Sequence, residues 1–273
     1  DDIASFDSDG FTFQGGGGAQ NQSSNTYVAW QWKANGGTRT TNSESGNNPA
    51  GGYQANTTAG FSIVDYVGTG ATGTMAHGLG ADPELLIIKN RARSDNWRLG
   101  SDYLTGWNTN IGMDITNAEW TNTGVFNSTS PTSSVFTVGS DTATNADGES
   151  HIAYVFKEIQ GFSKFGKYIG NGNADGPFIY TGFKPAWVMI KVRTGNTGGW
   201  DMYDNTRAIG NGIIAMLQAN DDGAEQTSDA VDLLSNGFKI RSTSGNQNGD
   251  GNTHIYMAFA EHPFVSSDGV PTT

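Results

Sequence analysis

His151-Ile152-Ala153-Tyr154-Val155-Phe156 returns as His254-Ile255-Tyr256-Met257-Ala258-Phe259, an offset of 254 − 151 = 103. Each run is rich in β-branched and aromatic side chains. Each also follows an acidic turn, Asn145-Ala146-Asp147-Gly148 or Asn248-Gly249-Asp250-Gly251, so both read as strands entered from a turn. Working outward, Gly60-Phe61-Ser62 matches Gly161-Phe162-Ser163 at an offset of 101. Pro83 with Leu85-Leu86-Ile87-Ile88-Lys89 matches Pro185 with Trp187-Val188-Met189-Ile190-Lys191 at 102, and Trp97 matches Trp200 at 103. Val135-Phe136-Thr137-Val138 matches Gly237-Phe238-Lys239-Ile240. A nearly constant offset across strands and turns alike is the mark of an internal repeat.

The repeat sets the expected domain organisation. Residues 60–160 form one unit and 161–265 a second, with 266–273 a C-terminal tail. Gly10-Phe11-Thr12-Phe13 and Tyr27-Val28-Ala29-Trp30-Gln31-Trp32 repeat the closing strands of both units, so 1–36 reads as the C-terminal strands of an incomplete unit. Residues 37–59 are mostly Asn, Gly, Thr and Ser and read as a linker or long loop. Short apolar runs alternate with Gly/Asn/Asp clusters, and helical patterns between them are missing apart from 211–219 and 228–235, which pass for short helices. The fold class expected is all-β: tandem β-sandwich, jelly-roll-like units with long Gly/Asn-rich loops.

Composition narrows the function. The 273 residues carry 15 Lys+Arg against 27 Asp+Glu, a net charge of −12. That charge repels phosphate backbones and no basic cluster offsets it, which argues against nucleic-acid partners. No apolar run approaches the roughly 20 residues of a membrane helix, so no membrane insertion is expected. With no cysteine there is neither a disulfide framework nor a thiol nucleophile. The chain begins at Asp1 with no signal peptide ahead of it, which reads as processing or as part of something longer.

The Gly68-Thr69-Gly70 turn, then His77-Gly78-Leu79-Gly80, then Pro83-Glu84-Leu85-Leu86-Ile87-Ile88-Lys89 together resemble a domain that recurs in structural proteins of tailed bacteriophages. Gly161-Phe162-Ser163-Lys164-Phe165-Gly166, Gly170-Asn171-Gly172 and Tyr256-Met257-Ala258-Phe259-Ala260-Glu261 carry the same resemblance. It covers residues 60–265, the partial copy extends it, and such domains are found in tail-fibre-like proteins of marine phages. The resemblance implies a virion surface, extracellular protein without catalytic activity that contacts other virion proteins. It also implies a homo-oligomer, with a trimer expected, that presents loops to a host surface glycan. A capsid decoration or fibre-shaft protein with no ligand site is the first alternative, and a polysaccharide-active enzyme the second. The second unit has Thr181-Gly182-Phe183 where the first has His77-Gly78-Leu79, so His77 is not expected to serve a shared chemistry.

Candidate sites follow from residue type. Trp107 and Trp120 lack counterparts in the second unit and stand among Asn108, Asn110 and Asn122. Aromatic rings beside amides can stack on a sugar and hydrogen-bond its hydroxyls, although two rings capping a core opening would read the same way. Asp7, Asp9, Asp147 and Asp250 sit in acidic Asp-Gly turns able to supply part of a calcium shell. The distant Glu of a calcium loop is absent and Asp-Gly is an ordinary hairpin pair, so the plain turn is preferred and no cofactor is expected beyond that calcium. His151 and His254 open equivalent strands without ligand spacing and read as packed, hydrogen-bonded rings. Asp114, Glu119, Asp201, Asp204 and Glu225 show no pairing for acid–base work, and no Gly-x-Ser-x-Gly elbow is present.

Overall fold

The structure, a computed structural model, describes residues 3–8, 10–14, 20–34, 37–43, 45–207 and 214–263. The chain divides into two compact units, Asp1–Trp32 and Lys33–Thr273. The first holds an antiparallel hairpin of β1 (Ile3–Phe6) and β2 (Phe11–Phe13). Tyr27–Trp32, expected as a strand, forms none. Its counterparts are central strands with a neighbour on each side, and the hairpin supplies no such pair.

The second unit, Lys33–Thr273, is one compact body that spans both segments expected as separate repeats. Its first half runs β3 (Thr40–Asn42), β4 (Ala50–Asn56), β5 (Phe61–Val67), β6 (Gly73–Ala76), β7 (Leu85–Asn90), β8 (Arg98–Ser101), β9 (Thr109–Gly112) and β10 (Trp120–Thr121). Then come α1 (Thr123–Phe126), β11 (Val135–Val138), α2 (Thr142–Asn145) and β12 (Ser150–Phe156). Its second half runs β13 (Ser163–Ile169), β14 (Phe178–Tyr180), β15 (Pro185–Val192), β16 (Trp200–Asp204), β17 (Ile214–Gln218) and β18 (Gln226–Ser228). It closes with β19 (Val231–Leu234), β20 (Gly237–Ile240), α3 (Gly245–Asn248) and β21 (Thr253–Ala260). The chain is all-β, and the stretches that pass for helices at 211–219 and 228–235 hold β17 and β19, whose apolar residues are fixed by ladder partners.

Each half has a main antiparallel sheet and a small one facing it. The first main sheet is ordered β3-β4-β5-β12-β7-β8-β9-β10, and the second β13-β21-β15-β16-β17-β18. Six consecutive strands therefore stand in the same order. The small sheets are β6-β11 and β14-β20-β19. Tyr66 pairs with His151 and Tyr168 with His254, while Phe61 pairs with Phe156 and Ser163 with Phe259. The ladders thus equate Phe61 with Ser163, one residue away from the match of the Gly-Phe-Ser triplets.

Residues 37–59 are not a linker. They add β3 and β4 to the first main sheet beside β5, and among the described residues no such pair flanks β13. These strands are held by backbone pairing with few apolar side chains, so composition hid them. A Cβ on Gly51 would collide with the Asp65 carbonyl and Tyr66, which explains a glycine inside this strand.

Two cores result. Val64, Tyr66, Leu86, Ile88, Ala153 and Val155 face Met75, Phe136 and Val138 across the first sandwich. Tyr168, Val188, Ile190, Tyr256 and Ala258 face Ile179, Leu233, Phe238 and Ile240 across the second. The opposite face of the second main sheet is buried as well: Phe165, Trp187, Met189, Ile255, Met257 and Phe259 lie outside that core yet are at most 7% exposed. Part of the cover comes from the first half, where Phe156 meets Phe165 edge-on at 6.1 Å and Phe259 at 6.3 Å. The halves are welded through the backs of their sheets.

Candidate functional site

The most elaborate polar arrangement occurs twice, at the start of β12 and of β21. Asp141 caps α2 by accepting from Ala143 N, and Ser244 caps α3 by accepting from Asn246 N. These single turns aim carbonyls inward, where Tyr66 Oη donates to Thr144 O and Tyr168 Oη to Gln247 O, both at 2.6 Å. His151 stacks on Tyr66 at 5.1 Å and His254 on Tyr168 at 5.0 Å. His151 Nδ1 meets Glu149 O at 2.9 Å, and His254 Nε2 meets Gly245 O at 3.3 Å. The second nitrogen of each ring is buried without a hydrogen bond. Burial pushes both imidazoles below their ordinary pKa, because the charged form would lose its hydration.

Asn145 and Asn248 complete these corners. Both are fully buried. Asn145 donates to Ala71 O and Gly139 O and accepts from Thr69 N. Asn248 donates to Asn173 O and Ser242 O and accepts from Asn171 N. Two loops are tied to one amide in each half, 69–71 and Gly139 to Asn145, 171–173 and Ser242 to Asn248. His77 serves the same end elsewhere: its Nδ1 accepts from Leu79 N, so Nε2 carries the proton given to Thr132 O at 2.9 Å. It too is buried and held below its ordinary pKa.

The acidic turns are parts of these corners. A Cβ on Gly70 would touch Asp147 and one on Gly172 would touch Asp250, and both glycines have positive φ, at 68° and 64°. Asp147 and Asp250 lie in opposite halves and are exposed. Asp7 accepts from Ser5 Oγ and Thr12 Oγ1 within the N-terminal hairpin, and Asp9 lies outside the described residues. Among the described residues, no three His, Asp or Glu side chains are grouped as a metal site.

The expected sugar platform is corrected by burial. Trp107 is 6% exposed, sits in the first core against Phe126 at 5.3 Å, and gives Nε1 to Asp102 at 2.7 Å. Asn110 is buried and donates to Trp120 O, while Asn122 caps α1 and donates to Asp141 Oδ2. Trp120 is half-buried under the Arg98 guanidinium, and only Asn108 of the group is exposed. The amides hold loops and Trp107 fills a core, so the five residues do not form one solvent-facing surface. Exposed aromatics stand elsewhere: Phe178 and Tyr180, 45% and 64% exposed, share the outer face of edge strand β14.

The remaining buried charges join the halves. Lys191 is fully buried, gives Nζ to Thr116 O and Gly198 O, and is pushed down by burial to about 8. Trp200 Nε1 donates to Gly112 O at 2.7 Å, and Gly198 N to Thr116 O at 2.9 Å. Arg193 Nη1 holds both Glu119 oxygens at 2.8 and 2.9 Å. Asp201 is buried and pushed upward, accepting from Gln218 and Gln247. Lys191 and Asp201 sit on adjacent ladder rungs, beside Trp200 and Ile190, and point to opposite faces of the sheet, so they form no acid–base pair. Nothing in the sequence flagged Lys191 beyond a lysine ending an apolar strand, a signal repeated at Lys89.

One cavity of about 360 Å³ opens where β3, β4, β5 and β12 end, with Arg39, Asn42, Asp65, Arg91 and Ser150 in its wall. Arg39 is bound by both Asp65 oxygens, at 2.6 and 2.7 Å. Asn42 Nδ2 is buried with no partner, and Arg91 has no ion pair among the described residues.

A family model described as "Domain of unknown function (DUF7483)" matches residues 1–263. The chain belongs to this family. The DUF7483 match covers the N-terminal hairpin and both halves. Searches of curated proteins and of solved structures find no match. No described helix of this DUF7483 chain is long and apolar enough to cross a membrane.

Proposed function

We propose that the chain is a non-enzymatic structural protein of a virion surface, tail-fibre-like, which presents its outer strands and loops to a host cell. The observation that carries this reading is where the reactive side chains are used. His77, His151, His254, Lys191 and Asp201 each tie loops, strands or halves together through bonds described above. A chain that commits its titratable groups to rigidity suits a load-bearing part. The resemblance of residues 60–265 to phage structural domains gives the setting. Host contact falls to Phe178 and Tyr180, whose rings are two residues apart on one strand face and so lie side by side, a spacing suited to stacking on saccharide rings.

The test is made on purified particles of a phage that encodes the chain. Mass spectrometry detects the chain in the particles, and gold-labelled antibody marks their outer surface. A chain confined to the soluble fraction of the lysate overturns the proposal.

A further inference from the structure

The two halves use one set of equivalent residues differently. Arg91 and Arg193 each follow the third strand of the matched order and donate their backbone N–H to the opening of the neighbouring strand, Arg91 to Ser150 O and Arg193 to Thr253 O. Arg193 grips Glu119 in a pair only 12% and 10% exposed, where loop 113–119 of the first half lies on the second. Arg91 is exposed, has no ion pair among the described residues, and stands in the wall of the cavity at the strand ends. Its neighbours repeat the contrast. Lys191 and Trp200 reach Thr116 O and Gly112 O of the first half. Their counterparts do not reach another unit: Lys89 bonds only carbonyls of its own loop, Arg93 O and Asp95 O, and the Trp97 indole N–H is unbonded among the described residues. Among the described residues, the first half carries the matching set of side chains with no loop bonded to it as loop 113–119 is bonded to the second.

The surface that seats is duplicated too. Leu99 pairs with Ile111 as Met202 pairs with Leu217, and Trp120 pairs with Asn110 as Gln226 pairs with Met216. Loops 113–119 and 219–225 are therefore equivalent and equally long, and Glu225 stands where Glu119 stands. Glu225 is 48% exposed, with exposed Asp221 and Asp222 in the same loop. Its present partner is Arg207 at 2.7 Å, which also holds Asp204, so the Glu225 arm is a partly solvated ion pair that is easily exchanged.

We propose that the contact between the halves is reused between chains: loop 219–225 of one copy seats on the Lys89, Arg91 and Trp97 surface of the next, with Glu225 on Arg91. The acidic loop complements Arg91, which has no ion pair among the described residues, and Lys89, whose ammonium meets only carbonyl oxygens; Arg39 beside them is already neutralised by Asp65. The two surfaces are different patches at different places on the chain, so the contact is heterologous and runs head to tail, leaving one free donor and one free receiver at the ends of any open assembly. This needs no virion and is separable from the functional reading.

The full chain is followed by sedimentation velocity at low salt over a range of concentrations, because the contact is charge-assisted. Wild type forms species that grow beyond the dimer as concentration rises. Arg91→Glu and Glu225→Gln each stay monomeric with unchanged circular dichroism. Mixed in equal amounts, the two variants form a heterodimer and nothing larger, since only one good donor and one good receiver remain. A wild type that stays monomeric, variants that assemble like wild type, or a mixture that stays monomeric overturns the proposal.

Discussion

Replacing Trp107 by Ala removes a ring from the first core rather than from a binding surface. The indole is 6% exposed, packs edge-on against Phe126 at 5.3 Å, and lies over Gly100, where a Cβ would strike both rings. Burying about 200 Å² of a tryptophan at about 25 cal/mol/Å² gives about 5 kcal/mol. Truncations of buried Phe and Trp to Ala fall at about 3–5 kcal/mol, which is the expected loss here. The Nε1 bond to Asp102 adds little, because Asp102 is exposed and water replaces the donor. Trp107→Phe keeps the contact with Phe126 and costs about 1–2 kcal/mol. Trp120→Ala removes a half-buried ring beneath Arg98, whose carbon lies 5.0 Å from its centroid, and costs about 1 kcal/mol. Urea titrations followed by circular dichroism measure all three, with the slope against urea unchanged if only stability moves. Equal losses for Trp107→Ala and Trp120→Ala, each under about 1 kcal/mol, would refute the placement of Trp107 in the core.

Acid weakens the protein through its buried histidines. Burial holds His77, His151 and His254 below the ordinary 6.5, so the unfolded chain takes up protons first. Their contribution is complete above pH 6.5 and falls as pH drops toward their folded values, by at most about 4 kcal/mol per pH unit for three protons; melting temperatures between pH 7.5 and 5 check it. Lys191 acts in the alkaline range: between about 8 and 10.5 the unfolded chain keeps a proton that the fold releases, so stability rises with pH. Lys191→Met abolishes that rise, read from melts between pH 7.5 and 8.5, below the range where unfolded tyrosine ionises and the buried tyrosines contribute. Phe178→Ala with Tyr180→Ala lowers adsorption of fluorescently labelled chain to host cells and leaves the melting temperature unchanged. Unaltered adsorption removes this strand face from the attachment surface.

The internal repeat was legible because strands and turns recur together, and the same strand order stands in both main sheets. The structural role of His151 and His254 was legible as well, since their spacing fits no metal. Other features carry no local signal. Strand β4 reads Ala50-Gly51-Gly52-Tyr53-Gln54-Ala55-Asn56, and its place depends on backbone pairing with β5, which period and propensity do not report. Trp107 reads equally as a sugar platform or as a cap on a core opening, because the second half offers no equivalent indole to compare. Its burial follows from α1 and Phe126, which meet it only once the chain is folded. The weld between the halves was invisible for a related reason. Lys191, Arg193 and Trp200 match Lys89, Arg91 and Trp97 residue for residue, and the difference lies in what tertiary structure brings to each set.

Native-state hydrogen exchange of the full chain is the most direct test that the two halves are locked into one body. The amides of Ala153–Val155 in β12 and of Tyr256–Ala258 in β21 lie at the centres of the two main sheets. One welded body opens them together, with a single free energy equal to that of global unfolding and the same dependence on denaturant. Two separate free energies, with one half exchanging while the other stays protected, would contradict the account.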